Sequence, residues 1–381
     1  MKHPFYPDLR QRLSLKVFEK YSDVQSKLHD LTYLFWECTV RCNVSCLHCG
    51  SDCRVEEAVK DMPAADFLKV TSEVRKHYNP NKVMVVITGG EPLMRKDLEE
   101  VGSELYKQGY PWGMVTNGYA LTEDRLKGLL KAGLRSVTVS LDGFEDSHNW
   151  LRGRKSSFNK AIEAISMIAK TPDIVFDVVT CVNSRNIEEL PRIKELLQSL
   201  GVYQWRIFTV SPIGRAKANK ELQITDTQFL FLMNFIKNTR LEDKVFASYG
   251  CEGFLGSFEG QVRDGYFFCR AGINIGSVLN DGSISACPNN SSKVVQGNIY
   301  IDDFMDVWKN KFQIMRDRSW TRQGLCENCD VFKWCKGNGL HLRDFENNNV
   351  MKCHYDILKN GVKPEIVGNK ESRQPAGTPN I

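Results

Sequence analysis

Between residues 31 and 210, short runs rich in β-branched and aromatic side chains alternate with longer stretches whose apolar residues recur every three or four positions. The short runs are "LTYLFWE" (31–37), "VMVVIT" (83–88), "WGMVT" (112–116), "SVTVSL" (136–141), "IVFDVVT" (174–180) and "YQWRIF" (203–208), and they predict six strands. The stretches between them predict helices. The clearest begins after Asn186, which is able to cap it; Glu189 three positions on completes a capping box, and Leu190, Ile193, Leu197 and Leu200 form one apolar stripe. Six β-then-α units in succession predict parallel strands with right-handed crossovers. The fold class is therefore α/β, either an open doubly wound sheet or a barrel, complete or partial.

In both architectures ligands gather at the carboxyl ends of the strands. At that rim the sequence places a cysteine loop after the first strand and "GGEP" (Gly89, Gly90, Glu91, Pro92) after the second. "NG" (Asn117, Gly118), "DG" (Asp142, Gly143), "CVN" (181–183) and "SPIGRA" (211–216) follow the other four. Glycine and asparagine are ordinary turn formers, so a turn explains each stretch taken alone. A glycine pair, an acid and a proline beside a cysteine-rich loop point further, to a ligand.

Past residue 250 long periodic runs give way to Gly-, Asn- and Asp-rich chain carrying Cys251, Cys269, Cys287, Cys326, Cys329, Cys335 and Cys353. Such chain predicts a loop-rich module stapled by metal. The expected organisation is an N-terminal helical extension (1–30), the α/β unit (31–215), a linker helix region (216–250), the cysteine module (251–360) and a disordered tail (361–381).

Composition narrows the compartment and the partners. With 42% hydrophobic and 25% charged residues the chain is of the soluble globular kind, and a net charge of +5 without like-charge blocks gives no case for nucleic acid. No apolar run approaches the ~18 residues of a membrane span, and the N-terminus lacks a signal-peptide pattern, so a cytoplasmic location is expected. Thiols stay reduced there, which turns 13 cysteines from disulfides toward metal.

The loop "WECTVRCNVSCLHCGSDC" holds Cys38, Cys42, Cys46, Cys49 and Cys53. A structural zinc site closes with four ligands, whereas a four-iron cluster held by three cysteines keeps one iron open. Cys38 and Cys53 each offer a fourth thiolate, so the count alone leaves both readings standing. "CNVSCLHC", with Thr39 before it and Asn43 inside it, resembles the CxxxCxxC signature of the radical S-adenosylmethionine (radical SAM) superfamily. The resemblance selects Cys42, Cys46 and Cys49 as ligands of a 4Fe-4S cluster whose open iron is chelated by SAM, and leaves Cys38 and Cys53 as packed or spare thiols. It implies a partial (β/α)6 TIM-type barrel and a low-potential electron donor of flavodoxin or ferredoxin type. It also implies reductive cleavage of SAM to a 5′-deoxyadenosyl radical that abstracts hydrogen. Gly89, Gly90, Glu91 and Pro92 then match the motif that holds the SAM amine, Ser140 and Arg152 match positions at the ribose and carboxylate, His48 takes the place of a residue packed on the adenine, and Asn117 shares their rim.

Cys269, Gly282 and Cys287, then Cys326-x2-Cys329-x5-Cys335 and finally Cys353, resemble the iron–sulfur SPASM domain of radical SAM maturases. That resemblance implies one or two auxiliary 4Fe-4S clusters. Cys326, Cys329, Cys335 and Cys353 make a full set, but Gly339 stands where the family carries a further cysteine. The first auxiliary site keeps Cys269 and Cys287, with Cys251 a candidate third ligand; an open iron, a non-cysteine ligand or no cluster all remain possible. Without the resemblance, zinc fits the field as well.

SPASM relatives modify peptides or proteins, so a peptide or protein substrate is the leading expectation. Pro288 replaces the acid that sulfatase-maturing members place there, which argues against aldehyde formation. The 41 residues before Cys42 are too few for a separate peptide-recognition domain. "FWECTVRCN", "HCGSDC" and "KGNGLHL" (336–342) also resemble a subgroup associated with small lipoproteins. The alternatives are a radical SAM enzyme on a tetrapyrrole-like small molecule and a non-catalytic iron–sulfur or zinc protein.

Overall fold

The computed structural model describes residues 3–53, 60–250 and 252–361. Cys251 and nearly all of the expected tail therefore lie outside the described residues. The six expected strands form as β1 (Tyr33–Glu37), β2 (Met84–Thr88), β3 (Trp112–Thr116), β4 (Leu134–Ser140), β5 (Val175–Val182) and β6 (Gln204–Thr209). They lie side by side in chain order and all parallel. A seventh strand, β7 (Phe246–Tyr249), extends the sheet beyond β6, also in parallel.

On the other side of β1 the sheet continues into the second cysteine field. Strand β8 (Ile275–Val278) pairs parallel to β1, Leu34 opposite Gly276, and β9 (Ser283–Ser285) and β10 (Gly297–Asn298) follow antiparallel. The result is one ten-stranded sheet, the partial-barrel architecture of the radical SAM fold with a loop-rich C-terminal part.

Large aromatic residues bind the strands to the outer helices. Trp36 of β1 stacks on Phe67 of helix 64–77 with ring centroids 4.6 Å apart. Trp112 of β3 fits against Gly102 of helix 98–107, where any side chain would overlap the indole. Trp205 of β6 meets Phe235 of helix 226–241 edge-on at 5.9 Å. Strand side chains alternate, so Phe35, Val86, Thr138, Asp177 and Arg206 face the opposite, inner surface. Among the described residues no helix is long and apolar enough to cross a membrane.

The helix expected after Asn186 forms, as a 3-10 turn (Ile187–Glu189) leading into helix Leu190–Ser199, with Leu190, Ile193 and Leu197 fully buried. Its capping box does not form. The Asn186 amide donates instead to the carbonyls of Asp142 (2.7 Å) and Cys181 (3.0 Å), while Glu189 accepts from Phe144 N (2.8 Å) and the Ser147 hydroxyl. Tertiary partners at the strand rim outcompete the local cap.

Candidate active site

The cysteine loop is clamped by main chain from three sides. At its start, Gly90 N donates to Thr39 O (2.8 Å) and Glu91 N to Arg41 O (3.0 Å), continuing the β1–β2 pairing past both strand ends. A Cβ on Gly89 or Gly90 would overlap the carbonyls of Thr39 and Arg41, so the glycine pair is required for this approach. In the middle, Ser45 N and Leu47 N donate to Arg152 O (3.1 Å) and Leu151 O (2.8 Å), at the end of helix Glu145–Arg152. At the far end Arg215 N donates to Cys49 O (3.0 Å), and Gly214, at φ +53°, leaves room for the carbonyls of Cys49 and Gly50. The first and last clamps come from rim stretches singled out in the sequence, and the middle one from the far end of the helix that follows Asp142 and Gly143.

The side chains of this loop separate into two groups. Cys42, Cys46 and Cys53 pack with Val44 in one small cluster that Cys49 adjoins, whereas Cys38 belongs to the main core. Asn117 donates to Asn43 Oδ1 (2.8 Å) and holds its Nδ2 3.8 Å from Cys42 Sγ. Arg152 Nη1 lies 3.7 Å from Cys46 Sγ. Cys49 Sγ accepts from Cys53 N (3.4 Å) and has the Cys53 thiol and the Arg215 guanidinium as further donors. These donors hold the Cys49 thiol well below its usual range, at about 5, while burial pushes Cys42 up to about 12. Cys53, the donor to Cys49, is pushed up, as is Cys38 by full burial. The donor set fits a three-thiolate cluster: three sulfurs on one loop, two of them beside guanidinium groups, with one further thiol acting as a hydrogen-bond donor.

Beside that loop, Glu91, Asn117, Arg152 and His48 have partners or neighbours that the sequence does not show. Glu91 is fully buried and its carboxylate already accepts from Thr116 Oγ1 (2.8 Å), Asn117 N (2.8 Å) and Leu93 N (3.1 Å). It locks the GGEP turn, in which Pro92 opens a short 3-10 turn, to the end of β3. Arg152 is buried against Asp142, with both Nε and Nη2 at 2.6 Å from Oδ2. Asp142 in turn accepts from Cys181 N (2.8 Å) and is held below the ordinary carboxylate range despite burial, with the Arg152 charge as the leading opposing influence. The donor atoms of His48, Asp142 and Cys181 lie within 4.8 Å of one another, so His48 turns toward the ends of β4 and β5. Burial keeps this imidazole neutral, lowering it to about 4, and its Nδ1 is buried without a partner. Ser140 ends β4 on the inner surface, its hydroxyl making no hydrogen bond among the described residues.

Sequence reasoning passed over Glu37 and Arg215. Glu37 closes β1 on the inner surface, 8% exposed, and burial pushes its carboxyl up to about 7 against a hydrogen bond from the Asn280 backbone. Nothing in the strand pattern marks it except a charge where an apolar residue is expected. Arg215 was visible only as part of "SPIGRA".

In the second field Cys326, Cys329, Cys335 and Cys353 line one cavity of about 350 Å³. Burial and the mutual repulsion of these sulfurs push Cys335 far above the usual thiol range, and Cys353 up to about 11. Four converging thiols suit a cluster with no open position. Cys269 is buried, lining a small cavity with Cys335, its sulfur accepting the amides of Leu340 and Ala271 beside the Arg318 guanidinium, which holds it below the usual range despite burial. Cys287 follows β9 and is half-buried.

Residues 36–197 match the Radical SAM superfamily, and residues 269–330 match SPASM, an iron–sulfur cluster-binding domain. Among curated relatives, the AdoMet-dependent heme synthase of Methanosarcina barkeri is 26% identical over 79% of this chain and 89% of its own. The mycofactocin maturase MftC of Mycolicibacterium smegmatis is 26% identical over 90% of this chain and 87% of its own. Streptococcus suis SuiB bound to S-adenosylmethionine shares the fold, with a TM-score of 0.66 at 17% identity over 84% of this chain and 76% of that one. The chain belongs to the radical SAM superfamily and carries a SPASM domain. It is an enzyme whose cofactors are 4Fe-4S clusters and S-adenosylmethionine.

Proposed function

We propose that this radical SAM enzyme removes hydrogen from a carboxylate-bearing, tetrapyrrole-like small molecule. The observation that carries this reading is the correspondence with a heme synthase along 89% of that relative's length. The inner surface is compatible with such a ligand. Phe35, Val86, Val115, Val179 and Phe208 offer apolar contact, and Arg206, braced by Asp177 Oδ2 (2.5 Å) and Thr138 Oγ1 (2.9 Å), offers a guanidinium to a carboxylate. The leading sequence expectation, a peptide substrate, becomes the second reading. It has in its favour a fold shared with SuiB, which has also been solved with the precursor peptide SuiA.

When bound, the cluster and SAM supply one-electron cleavage of the sulfonium and with it a carbon radical able to attack an unactivated C–H bond. In this reading Cys42, Cys46 and Cys49 hold the cluster, and Gly89, Gly90, Ser140, His48 and Asn117 surround SAM. Glu91 acts one step back, fixing the amides of Leu93 and Asn117. Arg152 and Arg215 place positive charge beside the Cys46 and Cys49 sulfurs and so favour their thiolate form. The main-chain clamps hold the loop in place. Cys326, Cys329, Cys335 and Cys353 hold an auxiliary cluster.

The test is anaerobic turnover of the iron- and sulfide-reconstituted enzyme with SAM and dithionite, presenting an iron-bound porphyrin tetracarboxylate or peptides encoded beside the gene. The expected result is 5′-deoxyadenosine formation stimulated by the porphyrin, together with a changed porphyrin mass. Stimulation by a peptide alone would replace this reading with the second.

A further inference from the structure

Gly339 occupies the position at which the SPASM pattern carries a cysteine, and the structure shows what fills the space. A Cβ built on Gly339 would lie 2.9 Å from Cε1 and 3.2 Å from Nδ1 of His341, two residues along the same turn. It would also lie 2.5 Å from the Glu252 carbonyl, so the chain has closed over the missing side chain and a cysteine no longer fits without a shift. The His341 ring has no hydrogen-bond partner among the described residues, although its neighbours are tightly held. Gly339 N donates to Glu252 O (3.1 Å), next in sequence to Cys251. The Leu340 amide is bonded to the Cys269 sulfur. Arg318 bridges the carbonyls of Cys269 and Asn338, each at 3.4 Å. An unpartnered imidazole thus sits in the place of the absent thiolate, on the turn that donates to the sulfur of Cys269.

We propose that His341 is an iron ligand of the first auxiliary cluster, completing with its imidazole the set that includes Cys269 and Cys287. The proposal rests on the SPASM assignment and is independent of which substrate the enzyme takes. Replacing a thiolate by an imidazole removes negative charge from the cluster and makes its reduction potential more positive, the direction seen when histidines replace cysteines in Rieske centres.

The test uses the full-length chain with Cys42, Cys46 and Cys49 all changed to Ala, so that only auxiliary clusters load, after anaerobic reconstitution with iron and sulfide. About 8 irons per chain are expected, falling to about 4 with His341→Ala. The reduced protein, grown with ¹⁵N-histidine, should show nitrogen hyperfine coupling by pulsed EPR. His341→Cys should restore the iron, abolish the coupling and shift the midpoint potential to more negative values. Absence of nitrogen coupling from the His341-containing chain overturns the proposal whatever the variants do, and so does unchanged iron in His341→Ala. A Cys269→Ala variant separates the two levels: if it too leaves iron unchanged, no first auxiliary cluster exists and the assignment beneath the proposal fails with it.

Discussion

The two cysteine regions solve opposite problems with the same side chain. In the N-terminal loop, backbone hydrogen bonds from neighbouring segments hold the main chain, and Cys42, Cys46 and Cys49 stand together with the Cys53 thiol beside them as a hydrogen-bond donor. In the C-terminal field, four thiols converge on one cavity, and turns and short helices connect them. A cluster that must leave one iron to an outside ligand needs its loop fixed independently of the metal. A cluster closed by four thiolates can organise the chain around itself. Under the proposed function, the difference assigns the chemistry to the first region.

Four substitutions test that contrast. Cys46→Ala should give the largest effect: SAM cleavage falls to background and iron drops by about four per chain, while the auxiliary iron stays, as read by iron analysis and 5′-deoxyadenosine assay. Retained cleavage would break the assignment of the loop. Arg152→Gln leaves Asp142 charged and unpaired in the interior and should cost about 3–5 kcal/mol in anaerobic urea unfolding. Glu37→Gln probes the inner surface. With a folded pKa of about 7 against 4.5 unfolded, the native chain keeps a proton that the unfolded chain releases, so stability falls as pH rises through this window and is flat above it. At pH 8 the variant should recover up to roughly 3 kcal/mol relative to the parent chain, and at pH 4 almost none. Cys53→Ala should be the mildest, keeping the loop's iron and costing about 1 kcal/mol for one lost hydrogen bond. Loss of the cluster in that variant would mean a fourth thiolate ligand and an enzyme unable to bind SAM at iron.

Much of the framework was legible because its signals are local. All six strands from β1 to β6 lie within two residues of their predicted bounds, since runs such as "WGMVT" combine β-branched and aromatic residues with clear breaks. Strand β7 is only four residues long, and β8, "IGSV", shows no alternation; each exists because a neighbouring strand offers it hydrogen bonds, which no local pattern records. The same applies to Asn186, whose cap propensity is real but is spent on Asp142 and Cys181. At the site, the resemblance to family motifs picked out the cysteines and the glycine pair. It did not reveal that the glycines serve contact between main chains, that Glu91 is satisfied by protein donors, or that His341 stands against Gly339, because those facts depend on segments brought together from distant parts of the chain.

The pairing of β8 with β1 joins the first strand of the barrel to a segment some 240 residues later in the chain. Until that late segment is made and docked, β1 presents a bare row of amides and carbonyls flanked by Leu34 and Trp36, a template for another molecule's strand. A protein cut before residue 275 is therefore expected to aggregate during synthesis rather than to yield a smaller working enzyme.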